Sequence, residues 1–248
     1  MLHAVRYWRS LLDTLRQSVG SAPGPVSDYQ QHAPSQDDAV RNFHFAIGQG
    51  ELQARTIRVM HRGDTELPAD STAPFVIGTL GSDVLANQVL VLDYARRHFN
   101  LYASVPDSLA RQATYVPMSF DSRRVMVDMS LQGEPKQLLF DSGSSAFALL
   151  TSESTWHNLA QPAAPTHTAA VNSWGKTLTS YTVATAAALQ VGALTMPLRT
   201  VTYIKGMNWW QTLLMASSGM GGMLGNEPFV DHTVILDVPG GRFGVVQR

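Results

Sequence analysis

Residues 138 to 145 read Leu138-Leu139-Phe140-Asp141-Ser142-Gly143-Ser144-Ser145, an apolar run that ends at an aspartate and a glycine turn. The run before it, residues 125–131, alternates apolar and polar residues, which is typical of a half-buried strand. A carboxylate that activates water has to be held at a tight turn by hydrogen-bond donors. Gly143 lets the backbone bend and leaves N–H groups free to face the Asp141 carboxylate. The stretch therefore predicts a strand that delivers an aspartate to a glycine turn.

A second motif begins 81 residues after Asp141 and reads Gly222-Met223-Leu224-Gly225. A strand-like run, Val-Ile-Leu-Asp, follows it and ends at Asp237. Because a dinucleotide-binding glycine loop is followed by a helix, this strand-like run excludes a phosphate cradle. The alternatives that remain are a flexible loop and a strand that packs closely against its neighbours.

The chain also contains an internal repeat with a spacing of 144 residues. Residues 45–101 align with residues 189–245 without a gap. The aligned positions include Gly48 with Gly192, Arg55-Thr56 with Arg199-Thr200, Gly78 with Gly222, Leu80-Gly81 with Leu224-Gly225, Leu92-Asp93 with Leu236-Asp237, and Phe99 with Phe243. Random apolar patterning would not bring three glycines and an aspartate into register. We expect two copies of one β unit, joined near residues 104–111.

Short β-type runs separated by turns dominate the chain from about Phe43 onward, which predicts an all-β fold. One or two turns of helix are expected near residues 152–159. Before this region, apolar residues at helical spacing predict an amphipathic helix over residues 1–16. The predicted strands are residues 43–47, 56–60, 89–93, 125–131, 137–140, 200–204 and 233–237.

The Asp-Ser-Gly-Ser loop, followed by Gly-x-Leu-Gly and a strand with an aspartate, resembles the active-site pattern of pepsin-like and retropepsin-like aspartic peptidases. The resemblance implies a bilobed, double β-barrel acid protease architecture. Residues 1–103 would form the second part of an N-terminal lobe, residues 104–114 a linker, and residues 115–248 a complete C-terminal lobe. The implied activity is endopeptidase hydrolysis of an extended peptide or protein in a cleft between lobes, with no metal or organic cofactor.

The same resemblance gives each motif residue a role. Asp141 would be a catalytic aspartate, the Ser142 hydroxyl would help to lock the two active loops together, and Ser144 would hydrogen-bond the outer carboxylate oxygen. The two glycines of the second motif would let a strand pass close beneath the loop, where a Cβ atom would clash, and its leucine would fill the core there. Trp174-Gly175-Lys176 predicts a hairpin tip, which the resemblance compares with the flap of this family.

The family uses two aspartates, one from each lobe, which hold one water between them. Because two adjacent carboxylates cannot both ionise cheaply, the pair shares one proton. The repeat places the first aspartate before residue 1, so we expect about 30 to 45 N-terminal residues to be missing or the first lobe to be degenerate. Asp13 is rejected because Leu15 stands in place of glycine. Two alternatives stay open: an inactive peptide-binding protein of this fold, and a homodimer in which two Asp141 loops face each other.

Composition excludes several other classes. The net charge of −1 provides no basic field for nucleic acid, and the absence of cysteine excludes disulfides and zinc ribbons. Neither HExxH nor Gly-x-Ser-x-Gly occurs. The longest apolar stretch, residues 183–194, is too short to span a bilayer, and residues 1–15 lack the apolar centre of a signal peptide. The compartment is not readable, although a lost secretion signal would favour an extracytoplasmic protein.

Overall fold

The computed structural model describes residues 39–47, 50–58, 81–143, 147–173, 176–206 and 220–247. Several sequence predictions fall outside these ranges and stay predictions. They are the helix over residues 1–16 with Asp13, the Gly48, Gly78 and Leu80 positions of the repeat, the placement of Ser144, and the Trp174-Gly175 hairpin tip.

Strands make up most of the described chain, which confirms the all-β class. Each strand predicted from the sequence overlaps an observed one, and residues 89–93 and 233–237 match in both bounds. The described ranges contain the strands β1 (Ala39–Ile47), β2 (Gly50–Arg58), β3 (Val89–Asp93), β4 (His98–Tyr102), β5 (Ala113–Ser119), β6 (Met126–Leu131), β7 (Glu134–Phe140), β8 (Leu149–Leu150), β9 (His167–Ser173), β10 (Lys176–Ala184), β11 (Ala188–Val191), β12 (Leu194–Pro197), β13 (Thr200–Lys205), β14 (Met220–Leu224), β15 (Thr233–Asp237) and β16 (Arg242–Val246).

Helices are short throughout the described ranges, and none of them is long and apolar enough to cross a membrane. α1 (Asp107–Ala110) lies in the segment predicted as a linker, and α2 (Glu153–Leu159) is the helix expected near residues 152–159. α2 begins after Ser152, whose hydroxyl oxygen accepts a hydrogen bond from the Thr155 backbone N–H at 3.2 Å. Single 3-10 helical turns occupy Ser82–Leu85, Asp121–Arg123 and Glu227–Phe229.

Fourteen strands form one sheet, and β1 and β2 form a separate antiparallel pair. The order in the large sheet is β4-β3-β15-β16-β5-β6-β7-β14-β8-β13-β10-β9, and β11 pairs with both β6 and β12. The β7–β14 and β8–β13 pairs are parallel. Because a tight turn cannot join parallel neighbours, β14 reaches β7 from far along the chain.

The 144-residue repeat corresponds to a repeated hairpin. Val89 faces Tyr102 in the β3–β4 pair, and Thr233 faces Val246 in the β15–β16 pair. A shift of 144 residues converts the first pair into the second. The two copies therefore share their register as well as their apolar pattern.

β3 and β15 pair antiparallel, so that the two copies of the hairpin are joined across a local two-fold axis. Val91 faces Ile235 at the centre of the pairing, and both side chains are buried. Val89 faces Asp237 on one side of the axis, and Asp93 faces Thr233 on the other. The axis exchanges these two pairs. β3 and β4, which lie within the predicted N-terminal lobe of residues 1–103, are thus part of the same sheet as the C-terminal strands.

The in-register aspartates of the repeat close the two hairpin turns. Asp93 Oδ1 accepts the Arg96 backbone N–H at 3.0 Å, and Asp237 Oδ1 accepts the Gly240 N–H at 2.9 Å. Arg242 Nε donates to the other Asp237 oxygen at 2.6 Å. Side-chain acceptors of this kind mimic a backbone turn. These two buried carboxylates are therefore structural.

The β1–β2 hairpin belongs to a separate compact unit, Leu2–Leu80, whereas the large sheet lies in Gly81–Arg248. Within β1–β2, Ile47 faces Gly50. At the positions 144 residues later, Val191 faces Leu194 in the β11–β12 hairpin. The repeat thus also includes the β1–β2 hairpin of the unit Leu2–Leu80.

Truncation of Ile235 tests the pairing between the two hairpins. Ile235→Ala removes a side chain with 0% exposure and leaves a cavity, so the free energy of unfolding should fall by about 2–5 kcal/mol in urea denaturation. Val230→Ala is the control, because Val230 is 42% exposed and its truncation should change stability by less than about 0.5 kcal/mol. Equal effects of the two changes would contradict the buried pairing.

Candidate functional site

Asp141 follows the last residue of β7, where two backbone hydrogen bonds fix the strand end. The Phe140 N–H donates to the Val125 carbonyl at 2.9 Å, and the Asp141 N–H donates to the Leu224 carbonyl at 2.9 Å. The second bond continues the parallel pairing in which Phe140 faces Leu224. The structure therefore places the start of the Asp141 loop directly beside Leu224 of the second glycine motif.

The Asp141 carboxylate is half-buried and is held by its own loop. Its Oδ1 accepts the Gly143 backbone N–H at 2.8 Å. A Cβ atom on Gly143 would lie 3.1 Å from Oδ1, which is tighter than ordinary van der Waals contact. The expected N–H donor is present, and the glycine provides space for the carboxylate.

Gly222 lies where β14 is flanked by β7 on one side and β8 on the other. Its φ is +149°, and a Cβ atom would stand 2.8 Å from the Leu150 carbonyl oxygen. A close approach is present at this glycine, and the atom nearest to its Cβ position belongs to the β8 backbone. The reason is that β14 is threaded between two strands, which the sequence did not show.

Leu224 and Gly225 lie next to the Asp141 loop, at the end of the β7–β14 pairing. The Leu224 side chain is fully buried in the main core, and the Gly225 N–H donates to the Ala148 carbonyl at 3.1 Å. Phe140 packs against Phe229 and Phe243, with ring centroids 5.8 and 5.4 Å away. The strand end that carries Asp141 is thus anchored in an aromatic cluster.

Ser142 is exposed, and its backbone carbonyl accepts a hydrogen bond from a buried side chain. Asn226 Nδ2 donates to this carbonyl at 2.7 Å. Asn226 is buried and directly follows Gly225 in the sequence. The role implied for the Ser142 hydroxyl stays a prediction, as does that of Ser144, which lies outside the described residues.

Tyr94 connects the first copy of the repeat to this loop. Its hydroxyl donates to Asn226 Oδ1 at 2.5 Å. Burial raises the pKa of Tyr94 above its usual range, so the hydroxyl stays protonated and able to donate. Neither Tyr94 nor Asn226 was predicted from the sequence as a functional residue. Their positions directly after Asp93 and Gly225 were the available signal.

The arrangement offers general acid–base chemistry with one carboxylate that accepts a backbone N–H from its own loop. Within the described ranges, no group of three or more His, Cys, Asp and Glu side chains is placed to hold a metal ion. A half-buried carboxylate whose one oxygen accepts a backbone N–H can orient a water or a hydroxyl group at the other oxygen.

No family model matches the chain, and no curated protein matches it. Among solved structures, the chain is similar to conglutin gamma, a unique basic 7S globulin from lupine seeds, at 12% identity and a TM-score of 0.33. The alignment covers 67% of this chain and 52% of that chain, so this chain spans about half the length of conglutin gamma. A likeness of this size carries no argument about architecture or activity.

Alanine substitution of two glycines tests the threading of β14. Gly222→Ala adds a Cβ against the Leu150 carbonyl at a positive φ, so the free energy of unfolding should fall by about 3 kcal/mol or more. Gly133→Ala is the control, because Gly133 also has a positive φ (+81°) but nothing lies within 4 Å of its Cβ position. That change should cost only about 1–2 kcal/mol. If urea denaturation gives the same loss for both, the predicted clash is wrong.

Proposed function

We propose that this chain is an aspartic-type endopeptidase of pepsin-like, double-lobe β-barrel architecture, in which Asp141 provides one of two water-activating carboxylates. The observation that carries the proposal is the hydrogen bond from the Gly143 N–H to Asp141 Oδ1 at 2.8 Å, at the end of a strand paired with the Gly-x-Leu-Gly segment. A general base needs this kind of fixed geometry before its pKa matters. The proposed substrate is an extended peptide or protein.

The chemistry of the proposal needs a second carboxylate facing Asp141. One carboxyl group of such a pair holds the proton and stabilises the tetrahedral intermediate, while the other removes a proton from the attacking water. Gly143 favours this role, because its N–H keeps one Asp141 oxygen occupied and leaves the other for the water. The second carboxylate belongs to a first lobe or, alternatively, to the Asp141 loop of a second copy.

The two sources of the second carboxylate predict different dependences on protein concentration. A pair formed by two copies gives a peptidase rate that rises with the square of the chain concentration at low concentration, and size exclusion then shows a dimer. A chain that is monomeric has one Asp141 and should show little activity by itself. Robust peptide cleavage by the monomer would contradict the expectation that a single copy of this chain lacks the second carboxylate.

Replacement of Asp141 tests the catalytic role directly. Asp141→Asn keeps the size of the side chain but removes the base, so peptide cleavage by concentrated protein at acidic pH should fall by about 10²- to 10⁴-fold. Asp128→Asn is the matched control, because Asp128 is an exposed carboxylate on β6 that accepts a hydrogen bond from Gln137. Its replacement should leave the rate within about twofold.

A pepstatin-type inhibitor separates the peptidase from the inactive peptide-binding alternative. Its central hydroxyl group binds between two carboxylates, so an assembled pair should bind it tightly and Asp141→Asn should weaken that binding. Isothermal titration calorimetry over a range of chain concentrations measures both effects. Peptide binding with neither inhibitor binding nor cleavage at any concentration would reject the peptidase proposal and favour the peptide-binding protein.

A further inference from the structure

The peptide unit between Ser142 and Gly143 carries two hydrogen bonds that point in opposite directions. The Ser142 carbonyl accepts from Asn226 Nδ2 at 2.7 Å, and the Gly143 N–H donates to Asp141 Oδ1 at 2.8 Å. Because the peptide bond is planar, the direction of the carbonyl fixes the direction of the N–H. A rotation of this one unit would break both bonds and remove the donor from the carboxylate.

The Asn226 side chain is itself held by Tyr94, a residue of the other copy of the repeat. The Tyr94 hydroxyl donates to Asn226 Oδ1, which leaves the Asn226 amide N–H₂ group directed at the Ser142 carbonyl. Tyr94 is further tied to the second copy because its backbone N–H donates to the His232 carbonyl at 3.3 Å. A chain of hydrogen bonds therefore runs from one repeat, through Asn226, to the loop that holds Asp141.

The repeat shows that this link is not required for the hairpins to form. Val238 stands at the position equivalent to Tyr94 and has no hydroxyl, yet the turn around it closes in the same way. The Arg97 N–H donates to the Tyr94 carbonyl at 3.2 Å, and the Gly241 N–H donates to the Val238 carbonyl at 3.2 Å. The polar link is thus added to a common hairpin on the side that faces Asp141.

We propose that Tyr94 and Asn226 are positioning residues that fix the Ser142–Gly143 peptide unit and, through it, the orientation of the Asp141 carboxylate. The proposal deepens the proposed function, on which its catalytic meaning rests. Neither residue has to touch substrate. Together they set the donor that keeps one carboxylate oxygen occupied while the other acts.

Tyr94→Phe tests the proposal with the loss of one hydroxyl group. Without this hydrogen bond, the Asn226 amide is free to turn, so the Gly143 amide should exchange with solvent about twofold to tenfold faster. Its ¹⁵N order parameter should fall from about 0.85 toward 0.6. Tyr115→Phe is the matched control, because its buried hydroxyl has no hydrogen-bond partner in the described part of the chain. That control should change neither value, and an unchanged loop in Tyr94→Phe overturns the proposal.

A double substitution distinguishes a connected chain from two separate contacts. Asn226→Leu should release the Ser142 carbonyl and raise the exchange of the Gly143 amide at least as much as Tyr94→Phe does. Adding Tyr94→Phe to Asn226→Leu should then have no further effect, because the link is already cut. Additive effects would overturn the proposal. If Asn226→Leu fails to fold, the comparison of Tyr94→Phe with Tyr115→Phe decides alone.

Kinetics separate this proposal from the proposed function. In protein that cleaves peptide, Tyr94→Phe should lower kcat about tenfold with KM within twofold, as expected for a misplaced catalytic group. Altered loop amides in a protein that never cleaves peptide would leave the positioning role standing and reject the peptidase. Asp141-dependent cleavage with unaltered loop amides in Tyr94→Phe would reject the positioning role alone.

Discussion

The parallel pairing of β7 with β14 is the constraint on which the rest of the site depends. The hydrogen bond from the Asp141 N–H to the Leu224 carbonyl ends this pairing and determines where β7 stops and the loop begins. Parallel neighbours require a long connection, so residues far apart in sequence meet at the loop. Gly222 makes the pairing sterically feasible, because β14 has to fit between two strands. Without that fit, Leu224 would not reach the Asp141 N–H, and Asn226 would not reach the Ser142 carbonyl.

The local two-fold axis places a second constraint on the same loop. β3 and β15 exchange equivalent residues across the axis, so each hairpin contributes half of one buried layer. The symmetry holds for the backbone registers and for the aspartates that close the turns. It is broken at Tyr94, where the second copy has Val238. The two copies therefore share their backbone pairing and differ in this polar contact with the Asp141 loop.

Much of this fold could be predicted because its signals are local or periodic. Alternation predicted residues 125–131, and the spacing of glycines and aspartates revealed the repeat before any strand was placed. The contact between Tyr94 and Asn226 could not be predicted, since it joins positions 132 residues apart and depends on a register visible only in the sheet. For the same reason, the contact of Gly222 with the β8 backbone could not be predicted. Spacing shows which residues recur, and the sheet order shows what they touch.

A role for Tyr94 and Asn226 in geometry rather than in stability agrees with the general energetics of buried hydrogen bonds. Replacing both partners of a buried hydrogen bond by apolar groups of similar shape is often nearly neutral for folding. At the equivalent turn of the same protein, Val238 stands in place of Tyr94 and carries no hydroxyl group. A hydroxyl and an amide therefore add directionality that an apolar pair would not provide. The Asn226 hydrogen bond fixes the direction of the Ser142 carbonyl. Because the peptide unit is planar, this also fixes the direction of the Gly143 N–H that donates to Asp141.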